Sequence, residues 1–552
     1  MGWLRRNAAI VLLGVALLAS AALLLAFFSG LTFFQDTWAF FMHRRGTSAS
    51  DFLNPHNEHI VLIPVAIEKV LIALFGMSTA KPEQVVLIVS LLITAVLLFV
   101  YVRRRIGEWP ALFAAVLLLF LGPAWQVLLW PFEVGFVGSA AAGIAMLLML
   151  ERDDERGDVY ACALLTLSIA FNSLGIPFAV AAAIDVLMKW RSRGLRRAYI
   201  PAIPLALFAV WYLGWGHAAQ NNLSLHNVLA SPLFVLNGIA ASVDSLLGLS
   251  TITVEGAGQP DWGRPILVAL ILLVIYKQVR KPGFSPRLWP VLGAALTFWL
   301  LTAFNYIPGR EAVASRYMHT AGLFVLLVAA DLLQGARFSR RALAIGGLVT
   351  LLAIASNLIP LRDGRDYLRV QTQITRGDLA AIEIARETVD PYFALAPDIA
   401  GTGSLIDISA GTYLQAAAED GSPAYSPSEL AVAPKTARLR ADVVLAHALP
   451  LTTDTRAGIS AVAGGDCVRF PGAGAPAAEL RLTPGVTRVE VEPGAPAVIH
   501  LRRFATGEYS LNTDPIPGGT TTLIEFPPDR VESRWPWYLQ VEADQPARVC
   551  RR

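Results

Sequence analysis

The chain has 552 residues, of which 55% are hydrophobic and 16% are charged, and its mean hydropathy is +0.53. Repeated apolar runs of spanning length exclude an ordinary soluble protein and indicate a polytopic membrane protein. Residues 1–359 hold 26 Lys and Arg against 18 Asp and Glu, whereas residues 360–552 hold 19 against 24. A basic membrane portion therefore precedes an acidic portion. The net negative charge of the second portion argues against a nucleic-acid partner.

We predict a mainly α-helical membrane domain in residues 1–359 with about eleven crossings. The predicted spans are apolar segments joined by short polar connections: 8–34, 84–102, 111–130, 134–150, 198–216, 265–279, 288–304, 318–334 and 342–359, with two shorter crossings inside 159–188.

The basic residues indicate the orientation, because cytoplasmic loops are enriched in Lys and Arg. The clusters that we place in the cytoplasm are Arg5-Arg6, 103–105, 189–197, 277–281 and 337–341. We therefore expect a multi-pass plasma-membrane protein with a cytoplasmic N-terminus and an extracytoplasmic C-terminal domain. The outer loops are then 35–83, 217–264 and 305–317.

Three apolar segments need this orientation to be interpreted. Residues 60–76 are predicted to form an outer-surface helix, since a crossing there would place every later basic cluster outside. The same argument makes 227–250 an outer interfacial or re-entrant segment. Residues 159–188 are predicted to form a hairpin of two short helices, because Asn172, Gly175 and Pro177 supply turn chemistry at the midpoint.

The remainder is predicted to be water-soluble. Residues 362–389 have the pattern of an amphipathic helix, and residues 360–465 are predicted to form a helical and loop region. Residues 466–552 alternate apolar and polar positions, as in 479–482, which is typical of short strands and predicts a β-sandwich. Cys467 and Cys550 bracket this part, and an oxidising outer compartment would let them form a disulfide.

Motifs of soluble enzymes, such as a phosphate-binding loop or His-Glu-x-x-His, do not occur in the sequence. The polar residues of the predicted outer face stand out instead, because ionisable groups at a membrane boundary tend to mark function. They come from the first and third outer loops: Asp36, His56, Asn57, Glu58, His59, Arg310, Arg316 and Tyr317.

An apolar helix that leads to an acidic residue, Phe33-Phe34-Gln35-Asp36, followed by a long outer loop, many spans and a soluble outer domain, resembles the GT-C class of membrane glycosyltransferases. The segment Pro55 to His59 is similar to a motif of bacterial members. The resemblance implies a polyprenyl-phosphate sugar donor, an acceptor hydroxyl on a glycan, lipid or protein, and Asp36 as the catalytic base. Glu58 is a second catalytic candidate on its own position, because a carboxylate held where helices converge at a membrane boundary tends to be functional.

Arginines are expected to stabilise the departing lipid phosphate, because guanidinium binds phosphate oxygens in pairs. Arg316 is the preferred ligand and Arg310 the second. His56 and His59 are expected to contact sugar or phosphate, and a divalent metal shared with Glu58 remains an alternative. A transporter or flippase of lipid-linked glycans, or a non-catalytic assembly scaffold, remains an alternative function; Asp185 and Asp331 are the only deep acidic candidates for transport.

Overall fold

The structure is a computed structural model that describes residues 7–254, 258–280, 283–395, 405, 408–448, 452–457, 467–472, 479–482, 488–506, 511–512, 515–525 and 535–551. Arg5, Arg6 and Lys281 of the predicted cytoplasmic clusters lie outside these residues. The chain divides into two compact units. The first comprises Met1–Ser29, Arg44–Leu71 and Lys81–Tyr367, and the second comprises Gly30–His43, Ile72–Ala80 and Leu368–Arg552.

The first unit is built from helices whose buried apolar side chains form one core. In chain order the helices that lie in it or begin in it are α1 Ala8–Phe28, α3 Ala49–Leu53, α4 Leu62–Phe75, α5 Lys81–Ile106, α6 Glu108–Leu119, α7 Trp125–Leu129, α8 Val134–Leu150, α9 Glu155–Phe171, α10 Gly175–Met188, α11 Trp190–Arg193, α12 Tyr199–Gly214, α13 Leu225–Leu247, α14 Gly263–Arg280, α15 Leu288–Phe304, α16 Ser315–Leu332 and α17 Arg340–Ile384. Helix α2, Asp36–His43, belongs to the second unit.

Several helices are long and apolar enough to cross a membrane. Among the described residues there are six such helices, or seven if the bent pair Glu108–Leu119 and Gly122–Leu129 is counted as one span. Helix α4, where a surface helix is predicted, has 14 residues and is not among them. The eleven crossings and their orientation remain predictions.

Residues 227–250, which are predicted to form an interfacial or re-entrant segment, lie mostly in helix α13. It is a 23-residue helix and is one of the six that are long and apolar enough for a span. At 1.5 Å per residue it is about 34 Å long, enough to cross a ~30 Å hydrocarbon core. Several of its polar residues, including Ser242 and Asp244, are buried, whereas apolar side chains such as Leu229 and Leu233 are exposed.

The predicted span 111–130 is broken. Helix α6 ends at Leu119, and the segment from Gly122 to Leu129 is bent by 45° relative to it. A side chain at Gly122 would overlap the carbonyl oxygen of Asn357, at 1.7 Å from an ideal Cβ, so only glycine allows this approach. Pro123 follows and cannot donate a backbone hydrogen bond, which keeps the helix from continuing.

The predicted hairpin within 159–188 is present as α9 and α10, of 17 and 14 residues. The break lies at 172–174, where the Asn172 side chain accepts a hydrogen bond of 2.9 Å from the Leu174 backbone N–H. Helix α10 ends in the ion pair Asp185–Lys189, 2.9 Å, that its i,i+4 spacing predicts.

Polar and charged side chains near the ends of α5, α8 and α16 form what we call the Arg105 network: Tyr101, Arg105, Glu151 and Asp331. Arg105 donates to Asp331 and to Glu151, both at 2.5 Å, and the Tyr101 hydroxyl donates to the other Asp331 oxygen at 2.6 Å. The Arg105 and Asp331 side chains are 2% and 0% exposed. Burial is tolerated because each charge has a partner of opposite sign.

The predicted boundary at residue 359 lies inside α17, which is a continuous helix of 45 residues with Pro360 in its interior. The sequence predicts a membrane span at 342–359 and a separate amphipathic helix at 362–389. The first unit ends instead at Tyr367. The second unit also includes two parts of the first predicted loop, Gly30–His43 and Ile72–Ala80, which sequence adjacency assigned to the membrane domain.

The second unit is helical in its first part and β-rich in its last. Its helices after α17 are α18 Ala410–Asp420, α19 Pro427–Val432 and α20 Lys435–Ala448. The strands are β1 Thr452–Ala457, β2 Cys467–Phe470, β3 Leu480–Arg481, β4 Arg488–Pro493, β5 Ala497–Arg502, β6 Leu511–Asn512, β7 Thr520–Glu525, β8 Tyr538–Ala543 and β9 Ala547–Arg551. Strand β1 precedes residue 466, where we placed the start of the β-rich domain.

The strands form two antiparallel sheets. One has the order β1-β7-β4-β9-β2 and the other the order β3-β8-β5-β6. Buried residues of both sheets share one hydrophobic core with the helices of this unit. A sandwich of the two sheets remains a prediction.

Cys467 and Cys550 are directly opposite each other on β2 and β9, and the structure joins their sulfur atoms. Helix α20 is tied to the end of β5 by Asp442, whose buried carboxylate accepts hydrogen bonds from the backbone N–H groups of Arg503, Phe504 and Ala505.

Candidate functional site

The segment Pro55 to His59 forms a tight turn. The backbone N–H of His56 donates to the His59 carbonyl at 3.0 Å, and the His59 N–H donates back to the His56 carbonyl at 2.9 Å. Asn57 takes a left-handed conformation with φ of 51°, which Asn tolerates better than most residues. This turn fixes the direction of the Glu58 side chain.

Four contacts within the first unit hold the turn in place. Arg44, which is buried, donates to the Pro55 carbonyl at 2.9 Å, and the Trp211 indole N–H donates to the Leu53 carbonyl at 2.7 Å. The backbone N–H of Ile60 donates to the Ser173 hydroxyl at 3.3 Å. The N–H of Gln220 donates to the carbonyl of Asn57 at 3.3 Å. The loop is therefore attached to α12 and to the α9–α10 hairpin.

Glu58 pairs with Arg310 from the third predicted outer loop, although 252 residues separate them. Arg310 Nη1 is 2.9 Å from both carboxylate oxygens of Glu58. The Glu58 side chain is 20% exposed and the Arg310 side chain is 11% exposed. Burial alone would raise the pKa of Glu58, but His59 and Arg310 oppose it, and the pKa lies below its usual value. Glu58 is accordingly an anion at neutral pH.

His56 and His59 lie on the same turn as Glu58. His59 Nε2 is 3.6 Å from a Glu58 oxygen, and its ring meets Phe136 edge-on at 5.4 Å. Burial lowers the pKa of His59, although Glu58 opposes that shift. A neutral His59 leaves Arg310 as the main positive partner of Glu58 at neutral pH. The His56 ring meets Phe132 edge-on at 5.0 Å.

Arg316 and Tyr317 lie in the first turn of α16. The Arg316 backbone N–H donates to the Gln126 side-chain oxygen at 3.0 Å, and the Gln126 N–H donates to the Ser315 hydroxyl at 3.1 Å. Arg316 Nη2 is 3.5 Å from the Gly309 carbonyl, while its buried Nε has no hydrogen-bond partner in the described part of the chain. Tyr317 lies within electrostatic range of Glu58, Arg310 and Arg316.

We call Glu58, His59, Arg310, Arg316 and Tyr317 the first-loop cluster. All five were predicted from the sequence as site residues, and the structure brings them together in the first unit. His56 and Asn57 form the turn beside them. His217 and His226, which share the predicted outer face, are exposed.

Asp36 belongs to the second unit, where it is the first residue of α2. The chain turns sharply before it, with Gln35 at φ of 42°. Two residues later Trp38 is fully buried, and its indole N–H donates to the Phe33 carbonyl at 3.1 Å. These contacts fix the backbone that carries the Asp36 carboxylate.

Sequence reasoning missed Gln126 and the two phenylalanines that face the histidines. Gln126 is the residue that could have been found, because it is a polar side chain within an apolar run just after Gly122-Pro123. The ring contacts of Phe132 and Phe136 depend on tertiary packing and leave no local sequence signal.

The first-loop cluster offers nitrogen and oxygen atoms for a ligand. Within the described residues no group of three or more His, Cys, Asp or Glu side chains could hold a metal ion. Both Glu58 oxygens contact Arg310 instead. The arrangement is suited to an anion, because two guanidinium groups lie at one end of α16 and one of them has an unpartnered N–H.

No family model and no curated protein matches the sequence. The fold is similar to that of ArnT from Cupriavidus metallidurans bound to undecaprenyl phosphate, with 13% identity, a TM-score of 0.49 and coverage of 76% of this chain and 86% of ArnT. It is also similar to the archaeal oligosaccharyltransferase AglB from Archaeoglobus fulgidus in complex with an inhibitory peptide and a dolichol-phosphate, with 14% identity, a TM-score of 0.43 and coverage of 77% and 65%.

Proposed function

We propose that the protein is a membrane glycosyltransferase that moves a sugar from a polyprenyl-phosphate donor to an acceptor hydroxyl on the predicted outer face. The observation that carries this proposal is the first-loop cluster. Arg310 is paired with one carboxylate, and the buried Nε of Arg316 has no hydrogen-bond partner within the described residues. A buried unpartnered guanidinium N–H is costly unless a ligand completes it, and a phosphate is the natural partner.

The reaction would proceed by attack of the acceptor oxygen on the anomeric carbon. The bond from that carbon to the donor phosphate breaks, and the polyprenyl phosphate departs with the electron pair. A base takes the hydroxyl proton, and we assign this role to Asp36. Arg316 and Arg310 would stabilise the charge on the leaving phosphate. ArnT and AglB were each determined with a lipid phosphate of this chemical class.

In this scheme Glu58 positions Arg310 before the donor binds. Its carboxylate accepts both contacts of 2.9 Å from Arg310 and so holds the guanidinium in position. An arriving phosphate would compete for the same nitrogen and release Glu58 toward the sugar. His56, Asn57 and His59 lie on the same turn and would contact the sugar hydroxyls, with His59 as a neutral hydrogen-bonding group.

The transporter alternative is less well supported by the structure. It requires a charge deep in the membrane that is available to a transported species. Asp331 is bound to Arg105 and Tyr101, and Asp185 is bound to Lys189 and to Arg197 at 3.1 Å. Both acidic candidates therefore already have positive partners.

The test separates chemistry from donor binding in the full-length protein. Undecaprenyl phosphate measures carrier affinity, and an undecaprenyl-phosphate hexose measures transfer. Asp36→Asn keeps the shape but removes the charge, so transfer should fall by roughly 100-fold or more with carrier affinity unchanged. Arg316→Ala should weaken carrier binding by roughly 30-fold, which corresponds to about 2 kcal/mol.

Matched controls are available at exposed positions far along the chain from the cluster. Asp154→Asn removes an exposed carboxylate, and Arg191→Ala removes an exposed guanidinium. Neither should change transfer or carrier binding. Native transfer by Asp36→Asn would remove Asp36 as the base, and full carrier affinity in Arg316→Ala would place the phosphate elsewhere.

A further inference from the structure

An apolar groove lies among α5, α6, α16 and α17, at the ends of these helices that carry the arginines. Its volume is about 260 Å³, and every residue that lines it is apolar, including Ile106, Pro110, Phe113, Ala329, Phe338 and Ala342. The groove is separate from the first-loop cluster. Arg316 and Ala330 are 14 residues apart on α16, which corresponds to about 21 Å along the helix axis.

Helix α17 can form the wall of the groove because it has glycine where it faces Phe113. A Cβ at Gly346 would lie 3.2 Å from the Phe113 ring, so a larger side chain would meet that ring. The opposite wall is fixed by the Arg105 network, whose buried ion pairs join α5 to α16. Val102 and Ile106, on the same helix as Arg105, face the groove. The groove is therefore bounded by rigidly paired helices.

The charged residues near the groove fall into two groups. In the first group each arginine has an acidic partner. Arg103 pairs with Glu108, and Arg104 pairs with Glu151. Arg105 pairs with both Glu151 and Asp331. The second group comprises Arg337, Arg340 and Arg341, which are exposed and make no ion pair within the described residues.

Two arginines of the second group are sequence neighbours of residues that line the groove. Arg337 precedes the lining residue Phe338, and Arg341 precedes the lining residue Ala342. Trp109, next to the lining residue Pro110, is 39% exposed, and tryptophan is enriched at the membrane interface. An apolar groove that opens beside uncompensated positive charge at an interface matches an amphiphile with an anionic head.

We propose that this groove binds an acyl chain of an anionic phospholipid, whose phosphate is held by Arg337, Arg340 and Arg341. The acyl chain lies against Phe113, Phe338 and Leu343, where it contacts the apolar side chains of the groove in place of neighbouring lipids. The arginines provide selection between headgroups, because a zwitterionic lipid with the same chains carries no net charge. The site is independent of the glycosyl-transfer proposal.

The experiment uses the delipidated full-length protein in detergent and native mass spectrometry. Dioleoyl phosphatidylglycerol, dioleoyl phosphatidylcholine and undecaprenyl phosphate are titrated separately, so that charge, chain and carrier are distinguished. The charge variant is Arg337→Gln/Arg341→Gln. Its matched control, Arg191→Gln/Arg196→Gln, removes two exposed arginines elsewhere in the first unit. The groove variant is Ala342→Trp, which fills the groove from an exposed position.

We expect phosphatidylglycerol to bind at lower concentration than phosphatidylcholine. The charge variant should weaken phosphatidylglycerol binding by about 25-fold without affecting phosphatidylcholine, while the matched control binds as the native protein does. Ala342→Trp should abolish retention of both phospholipids while its thermal stability stays native.

Equal binding of the two phospholipids would overturn the proposal, as would unchanged phosphatidylglycerol retention in Ala342→Trp. If the groove and charge variants weaken undecaprenyl phosphate as much as phosphatidylglycerol, the groove holds the carrier lipid instead. That outcome would reject the phospholipid site and leave the roles of Asp36 and Arg316 to their own test.

Discussion

Two groups of buried or half-buried charge in the first unit differ in how completely they are paired. In the Arg105 network, Arg105 contacts two carboxylates, and one of these also accepts from Tyr101. In the first-loop cluster, Glu58 pairs with one cation, Arg310, and Arg316 keeps a buried N–H without a partner in the described residues. The comparison separates charge that stabilises helix packing from charge that is available to a ligand.

The physical reason is the cost of removing charge from water. A closed network repays that cost within the protein, whereas an incompletely paired group retains part of it until a ligand binds. The backbone agrees with this distinction. Glu58 is on a turn with a left-handed Asn57, while Arg105 and Asp331 lie on regular helices. Local strain of this kind is frequent at functional sites.

The largest expected effect comes from opening the closed network. Arg105→Met leaves the Asp331 carboxylate buried without its cation, which should destabilise the protein by about 3–5 kcal/mol. Thermal denaturation in detergent measures the loss. The double variant Arg105→Met/Asp331→Asn removes both charges and should recover part of it. Arg152→Met, at an exposed pair with Asp154, should leave the transition unchanged. A native transition in Arg105→Met would show that the network does not stabilise the helices.

The next effect tests the pair in the first-loop cluster. Arg310→Gln leaves Glu58 half-buried without its cation and should cost about 1–3 kcal/mol. Glu58→Gln/Arg310→Gln should recover most of that stability, because no unpaired charge remains. The same thermal measurement gives both values, and carrier affinity is measured in parallel. Equal losses in the single and double variants would mean that the two side chains are not energetically coupled.

Much of the helical part could be predicted from the sequence because its signals are local. Apolar runs place most of the helices, the turn residues at 172–174 separate α9 from α10, and i,i+4 spacing gives the Asp185–Lys189 pair. The continuity of α17 through Pro360 could not be read locally. Its interior contacts include Asn357, whose side chain donates to the Ser245 carbonyl at 2.9 Å, 112 residues away.

The site was predicted by residue type but not by pairing. Arg310, Arg316 and Tyr317 were named from the third loop and Glu58 from the first, yet 252 residues lie between the members of the central ion pair. Gln126 was missed because the run 111–130 was interpreted as one span. Its role depends on the bend after Leu119, which brings its side chain to the first turn of α16.

A smaller effect is expected from the strained turn. Asn57→Ala places an ordinary L-residue in the left-handed region and should cost about 1 kcal/mol, whereas Asn57→Gly should cost less because glycine has no Cβ. Since Asn57 orients Glu58, Asn57→Ala should also weaken carrier binding. Asp153→Ala, at another left-handed residue with φ of 53°, should reduce stability without affecting carrier binding. Carrier affinity that responds equally to both variants would show that the turn has no specific role.

The smallest effect concerns pH and separates His59 from Glu58. Burial lowers the pKa of His59 from 6.5, so the unfolded chain binds a proton that the folded protein resists. This contribution to stability is complete above about pH 6.5 and is lost as the pH falls toward the folded pKa. The pKa of Glu58 is also lowered, so its contribution is present above its unfolded pKa and is lost at more acidic pH. Thermal denaturation should therefore show that the native protein loses stability between pH 7 and pH 5. The loss should be smaller in His59→Gln. The control variant His217→Gln, at an exposed histidine, should match the native protein. A native pH dependence in His59→Gln would mean that His59 is protonated as readily in the folded protein as in the unfolded chain, and Arg310 would then no longer be the main positive partner of Glu58.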